Sequence, residues 1–304
     1  MTVNLNPNLT APELPAEHAL RAVLASALKS RPAPAPTQAA AYWPATHFNL
    51  SQASLFIAAS AEEQTQILSA CGRNLLAEAY YIEKSGMYFA AKMSLLADTA
   101  QERMLYSLFA ADEATHFNWI AQYISDVGEA DYGQHPFLTL LNDVLQNEER
   151  GTLAYLIQVV LEGWGIAHYH ALAKDCLDSG LKDVFAQIIK DEARHHGSGV
   201  ILCNERDFTA PQLSRLVELL QQFFAMVQVG PQMVVGETER VLGPLSRKQK
   251  TKLFAELDCE TMTARKIATL TGLLKNTNCG SAVIAELARR DVLRPFTAAE
   301  CAAC

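Results

Sequence analysis

The chain has no apolar run of about 18 residues, the length a helix needs to cross a bilayer, so no membrane span is expected. Its first residues, MTVNLNPNLTAPELPAEH, carry neither a basic leader nor an apolar stretch. No secretory signal is therefore expected, and the cytoplasm is the expected location. Positive charge is scarce: 25 Lys and Arg stand against 33 Asp and Glu, for a net charge of −8. That balance argues against a nucleic-acid partner, because phosphate binding needs a basic face. The seven cysteines are odd in number and scattered, which suits reduced thiols better than a disulfide framework. The exception is Cys301-Ala302-Ala303-Cys304, whose spacing suits a redox pair or half a metal site, or is incidental on a tail. No glycine-rich phosphate loop and no flavin or nicotinamide motif is present. Glycine and proline are modest and β-branched runs are few. What remains is a half-apolar chain rich in Ala, Leu, Glu and Gln, so the expected class is all-α with an ample core.

In chain order, residues 1–11 are expected to be disordered and Pro12 to Ser30 helical. Arg31-Pro-Ala-Pro-Ala-Pro-Thr37 should break that helix as a stiff linker, and residues 38–50 read as irregular. Ser60 and Glu63 have capping-box spacing and should open a long helix running to about Asp98. Thr99 and Glu102 repeat that spacing and open the next helix, expected to end near Gly128. A crossover with a short helix over 137–147 should follow, then a helix from about Glu149, a turn at Leu177-Asp178-Ser179-Gly180, and a further long helix. Thr209 and Gln212, with Pro211 in the first turn, start a helix reaching about Val229. Pro231 restarts a shorter one, and more follow near 246–257, 259–275 and 280–291. The expected organisation is an N-terminal helix and linker over 1–59, a bundle over 60–205, and a helical extension over 206–304 packing on it.

One duplication stands out. Asp112-Glu113-Ala114-Thr115-His116 and Asp191-Glu192-Ala193-Arg194-His195 share D-E-A-x-H. Glu83 precedes Glu113 by 30 residues, and Glu162 precedes Glu192 by 30. If each pair faces across an antiparallel hairpin, the turns belong at residues 98 and 177, where capping and turn signals stand. Each glutamate is then about 15 residues from its turn, roughly 22 Å along a helix, so all four carboxylates meet at one level. Glu and His at i and i+3 share a helix face and can hold one metal together. Glu83, Glu113, His116, Glu162, Glu192 and His195 thus supply four carboxylates and two imidazoles, a charge that balances two ferrous ions. This donor set suits iron or manganese more than zinc and leaves positions where O₂ can bind. A buried carboxylate without a metal or cation would be costly.

Residues around this set invite further expectations. Asp112 and Asp191 can each accept the second ring N–H of the histidine from the opposite half, and Arg194 can pair with either. His196, at i+4 from Glu192, is the alternative ligand, although symmetry with His116 favours His195. His168 and His170 read as structural. Gly86, Gly163 and Gly165 lie beside the glutamates, where a helical glycine costs about 1 kcal/mol relative to alanine. They either keep space open for O₂ or a substrate or allow close helix packing. Tyr80, Tyr155 and Tyr169 lie near the same faces, as pocket lining, hydrogen-bond donors or core.

The duplicated motif resembles the ferritin-like di-iron carboxylate superfamily over residues 60–205. The resemblance implies an all-α, ferritin-like four-helix bundle with one long crossover and additional N- and C-terminal helices. Asp191-Glu192-Ala193-Arg194-His195 is similar to the D-E-x-R-H of soluble acyl-carrier-protein desaturases, whereas Thr115 departs from their Arg. Arylamine N-oxygenases place an extra histidine where Ile188 stands. Ribonucleotide reductase small subunits place a radical tyrosine where Ile120 stands. Rubrerythrins add paired C-x-x-C elements, and storage ferritins are shorter with a different ligand set. The resemblance implies two iron ions, with manganese–iron open, and O₂ as co-substrate. It further implies a small-molecule or carrier-protein-bound substrate, an external electron donor such as a ferredoxin or reductase, and a homodimer as an open arrangement. The expected function is an O₂-activating di-iron oxidase or oxygenase, with iron handling, peroxide scavenging and radical generation as the other readings.

Overall fold

The computed structural model describes residues 14–31, 34, 41–124 and 135–304, and the elements it contains are helical. The expectation for residues 1–11, most of the proline linker, and the crossover over 125–134 lie outside the described residues. The first helix, α1 (Ala19–Leu28), begins seven residues later than its pattern suggested. A single 3₁₀ turn (Leu50–Gln52), starting at the end of the stretch 38–50 read as irregular, and α2 (Ser54–Ala58) lead into the bundle. Trp43 anchors this segment, fully buried, its indole N–H donating to the Leu172 carbonyl at 2.9 Å.

Two long hairpins form the bundle. The first joins α3 (Ala61–Leu96) to α4 (Ala100–Ala121). Ser60 and Glu63 make the expected reciprocal cap, with the Glu63 carboxylate accepting from Ser60 N–H at 2.8 Å. Thr99 Oγ1 accepts from Glu102 N–H at 3.1 Å and starts α4. The α4 helix ends at Ala121 rather than near Gly128, because Gln122 and Tyr123 close a last tight turn onto Trp119 and Ile120. The connection carries α5 (Pro136–Asn147). The second hairpin runs through α6 (Arg150–Leu153), a π-helical stretch (Ala154–Glu162) and α7 (Gly163–Asp175) into α8 (Ser179–Asn204). Buried Asp178 caps α8 by accepting from Leu181 N–H at 2.8 Å. The α3–α4 and α7–α8 pairs are tightly packed and α4 lies on α8.

The π-helical stretch was not legible as such. On α8, His196 donates from Nδ1 to the Gln158 carbonyl at 3.0 Å. A Cβ at Gly199 would stand 2.3 Å from Gln158 Cβ, so glycine is what lets the two helices approach so closely.

The remaining helices cover the bundle: α9 (Ala210–Gln228), α10 (Gln232–Leu242), α11 (Arg247–Glu256), α12 (Cys259–Lys275), α13 (Gly280–Arg289) and the short α14 (Ala298–Cys301). Capping boxes at Thr209/Gln212, Ser246/Gln249 and Thr297/Glu300 set three of their starts. Helix α10 lies on α3, and α12 lies on α7 and the π-helical stretch. The apolar residues form two clusters. One includes Phe89, Tyr106, Phe109, Tyr155 and Phe224; the other includes Trp43, Tyr80, Ile120, Phe185 and Ile188. Along all four bundle helices the motif glutamates fall between these clusters.

Candidate metal centre

At that level the six residues of the duplicated motif come together. Glu83, Glu113, His116 and Glu192 offer donor atoms within 4.8 Å of one another, all from buried residues. Glu113, Glu162 and His195 form a second such group. Glu113 belongs to both. Among the described residues these are the groups of His, Cys, Asp and Glu with metal-binding proximity, and the Cys301/Cys304 pair is not one of them.

The imidazoles face inward through Nδ1. His116 Nδ1 lies 3.2 Å from Glu83 Oε2, while its Nε2 meets Asp191 Oδ2 at 3.0 Å. A proton on Nε2, donated to Asp191, leaves Nδ1 as the donor atom toward the cluster. His195 Nδ1 lies 3.1 Å from Glu113 Oε1 and Nε2 lies 3.6 Å from Asp112 Oδ2. Each aspartate therefore faces the histidine of the opposite half. Arg194 pairs with Asp191 and reaches Asp112 at 3.4 Å. Arg31 also holds Asp112, at 3.1 Å, and Thr115 Oγ1 at 3.0 Å. No local pattern links Arg31 to a residue 81 positions away, so sequence reasoning missed it.

Desolvation pushes the carboxyl groups of Glu113, Glu162 and Glu192 well above their ordinary value, and the neighbouring carboxylates reinforce the push. For His116 desolvation acts downward, but Asp191 and Glu83 outweigh it and hold the imidazolium form well above its usual range. These are the signs of negative charge crowded into a dry site. Glu162 Oε2 and both ring nitrogens of His195 are buried without a hydrogen-bond partner. Buried polar atoms are seldom left in that state, and each such group costs about 1–3 kcal/mol. Four carboxylates, two inward-facing imidazoles and three orphaned atoms fit a pair of divalent cations.

The other expected site residues divide. Tyr169 donates to Glu83 Oε1, which leaves Glu83 Oε2 facing His116. Tyr80 packs on Phe117 and Tyr81 in the core, and Tyr155 bonds Thr277 Oγ1 at 2.9 Å, so neither lines the cluster. His196 is turned onto the Gln158 carbonyl and does not join the cluster, because α8 points it at the π-helical stretch. Gly86 faces no open space: a Cβ there would be 2.1 Å from Glu113 Oε2. Gly163 is likewise packed, against His196 and Leu273 at 2.8 Å. Gly165 alone of the three faces space, with nothing within 4 Å of a Cβ. Gln158 is a further residue that sequence reasoning missed. It accepts from Tyr106 Oη at 2.8 Å and donates to the His195 carbonyl at 3.1 Å, steadying the helix that carries His195. An uncharged glutamine within an apolar run gave no signal of that role.

Residues 63–201 match the family model described as a ferritin-like domain. No curated protein and no solved structure matches the chain. The matched segment opens in the first turn of α3, ends near the end of α8, and contains every residue of the cluster. Residues 63–201 thus form an all-α helical bundle that matches a ferritin-like domain.

Proposed function

We propose that the chain is a di-iron oxidase or oxygenase that uses O₂ to oxidise a small organic or carrier-bound substrate. The observation that carries this reading is the unequal dressing of the cluster. One group offers four buried residues; the other offers three, Glu113, Glu162 and His195, with buried atoms that lack a hydrogen-bond partner. A metal position with few protein donors leaves coordination sites where small molecules can bind. Bound iron would supply the redox chemistry with O₂, with electrons from an external ferredoxin or reductase.

The chain's own residues prepare that chemistry. Asp191 orients His116, and Asp112 faces His195 while being held by Arg31 and Arg194. Tyr169 fixes one oxygen of Glu83 by a hydrogen bond and so orients the other. The two apolar clusters exclude bulk water above and below the site, which strengthens electrostatic interactions inside it. The helices packed on the bundle, α10 on α3 and α12 on α7, fit a need to wall off a substrate pocket.

The test is to load metal-free protein anaerobically with excess Fe(II), admit O₂, and count the iron oxidised per chain. Arrest at about two supports the oxidase reading. Continued oxidation of many irons per chain would replace it with iron handling.

A further inference from the structure

Helix α1 buries none of its own residues. The segment that follows it is nevertheless tied to α4, beside the metal cluster. Arg31 closes a turn onto the Leu28 carbonyl with its backbone N–H at 2.8 Å. Its Nη1 donates to the Ala111 carbonyl at 3.1 Å, to Asp112 Oδ1 at 3.1 Å and to Thr115 Oγ1 at 3.0 Å. All three acceptors lie in the turn of α4 that carries Glu113 and leads into His116. The backbone is held as well. The Trp119 indole N–H donates to the Arg31 carbonyl at 3.1 Å, and the Tyr123 hydroxyl donates to the Pro34 carbonyl at 3.2 Å.

These contacts reach toward both histidines of the cluster. Asp112 gives Oδ1 to Arg31 and turns Oδ2 toward His195 Nε2, 3.6 Å away. Trp119, which holds the Arg31 carbonyl, lays its ring 5.9 Å from that of His116. Arg194 also reaches Asp112, at 3.4 Å, but it is committed to Asp191. Asp112 keeps only 15 % of its side chain exposed and Arg31 40 %, so the pair is partly sheltered from the screening that weakens surface ion pairs. A carboxylate with one oxygen held has its other oxygen aimed, and an aspartate facing a ligand histidine sets the tautomer and orientation of that ring. We propose that Arg31 is a positioning residue of the metal centre. Through Asp112 it aims the His195 ring, so docking of the segment after α1 and loading of the position served by Glu113, Glu162 and His195 favour each other. Such coupling is reciprocal: what docking adds to metal affinity, metal adds to docking. The inference rests on the metal-binding reading of the cluster, and it makes a residue outside the matched span 63–201 part of the site.

The test is titration of the metal-free full chain with Co(II), followed by its visible absorption. Wild type should take about two equivalents. R31M keeps the backbone bonds from Trp119 and Tyr123 but loses the side-chain clamp. It should weaken one equivalent about tenfold, within the usual cost of losing an outer partner, and leave the other unchanged. R31K offers an ammonium with three donors to the same three acceptors and should recover part of the loss. In a D112N background R31M should cost nothing further, because the carboxylate it aims is gone. The reciprocal arm needs no variant: exposed Lys29 lies two residues before Arg31, and Co(II) should slow cleavage of the Lys29–Ser30 bond by a lysine-specific protease. That protection should be absent in R31M. The proposal is overturned if R31M binds both equivalents as wild type does, or if its loss is the same with and without D112N. It is also overturned if Co(II) leaves the wild-type cleavage rate unchanged. A wild-type chain that binds no Co(II) would overturn the metal reading itself, so the two failures are distinguishable.

Discussion

The two hairpins carry the same spacing of glutamates and histidines, yet one is closed and the other open. In the first, α3 is continuous, and the glycine three residues after its glutamate, Gly86, lies against Glu113. Its histidine, His116, has both ring nitrogens engaged by carboxylates. In the second, a π-helical stretch precedes Glu162, and the glycine at the same offset, Gly165, faces open space. Its histidine, His195, faces Glu113 at 3.1 Å and Asp112 at 3.6 Å, without hydrogen-bond geometry to either. Equal sequence spacing thus fixes where the donors sit but not how they are enclosed. Enclosure is decided by neighbours on other helices: Glu113 against Gly86 in the first half, and His196 and Gly199 of α8 against Gln158 in the second.

The largest expected effects test whether the halves are unequal as metal positions. Glu113 belongs to both donor groups, whereas Glu162 belongs to the open one alone. E113A should lower bound Fe(II) from about two per chain toward none, and E162A should lower it to about one. Metal analysis after anaerobic loading and gel filtration reads the difference. Equal losses in the two variants would mean that the halves are equivalent and the structural asymmetry has no chemical consequence.

Next come the aspartates that face the histidines. D191N and D112N should each weaken iron binding by roughly 10–100-fold, the usual cost of losing such a partner. D191N should be the more severe, because its contact with His116 is 3.0 Å against 3.6 Å for Asp112 with His195. A competition titration with a chelator of known affinity ranks them, and the reverse order would break the comparison.

The paired glycines give a smaller and purely structural contrast. G86A would drive a methyl group into Glu113, so it should destabilise the protein by about 1–3 kcal/mol, as overpacking does. G165A meets nothing and lies in a helix, so it should be neutral or stabilise by up to about 1 kcal/mol. Urea denaturation of the metal-free variants measures both, and equal destabilisation would place Gly165 in a packed environment after all.

How much of this could be read from the chain follows from the range of each interaction. The hairpins and their turns were legible because caps are local: Ser60 with Glu63, and Thr99 with Glu102, act over three residues. The cluster was legible because identical spacing in two hairpins forces four carboxylates to one level. The π-helical stretch was not, since what packs on it, such as His196 on the Gln158 carbonyl, lies 38 positions away. Nor was the role of Gly86 separable from that of Gly165, because both are glycines one turn beyond a glutamate. Only the opposing helix, supplying Glu113 to one and nothing to the other, tells them apart. The clamp of Arg31 on Asp112 was hidden for the same reason.

The smallest expected effect lies at the position six residues beyond each glutamate. In the closed half this is Phe89, buried in the apolar cluster, and in the open half it is His168. Desolvation first, then the charge of Lys266 and of His47, lower the His168 pKa from 6.5 to about 4. The folded state therefore keeps this imidazole neutral where the unfolded chain would protonate it. Its share of stability is fully present above pH 6.5 and is lost as pH falls from 6.5 toward 4, levelling off below that. Replacing His168 with Phe, the residue of the closed half, removes a titrating group and should flatten that part of the stability profile. Denaturation midpoints of wild type and H168F at pH 7 and pH 5 provide the readout. The two should diverge at pH 5, with the wild type losing more. A parallel fall in both proteins would show that His168 titrates normally, and so that the second half is less enclosed around this position than its packing implies.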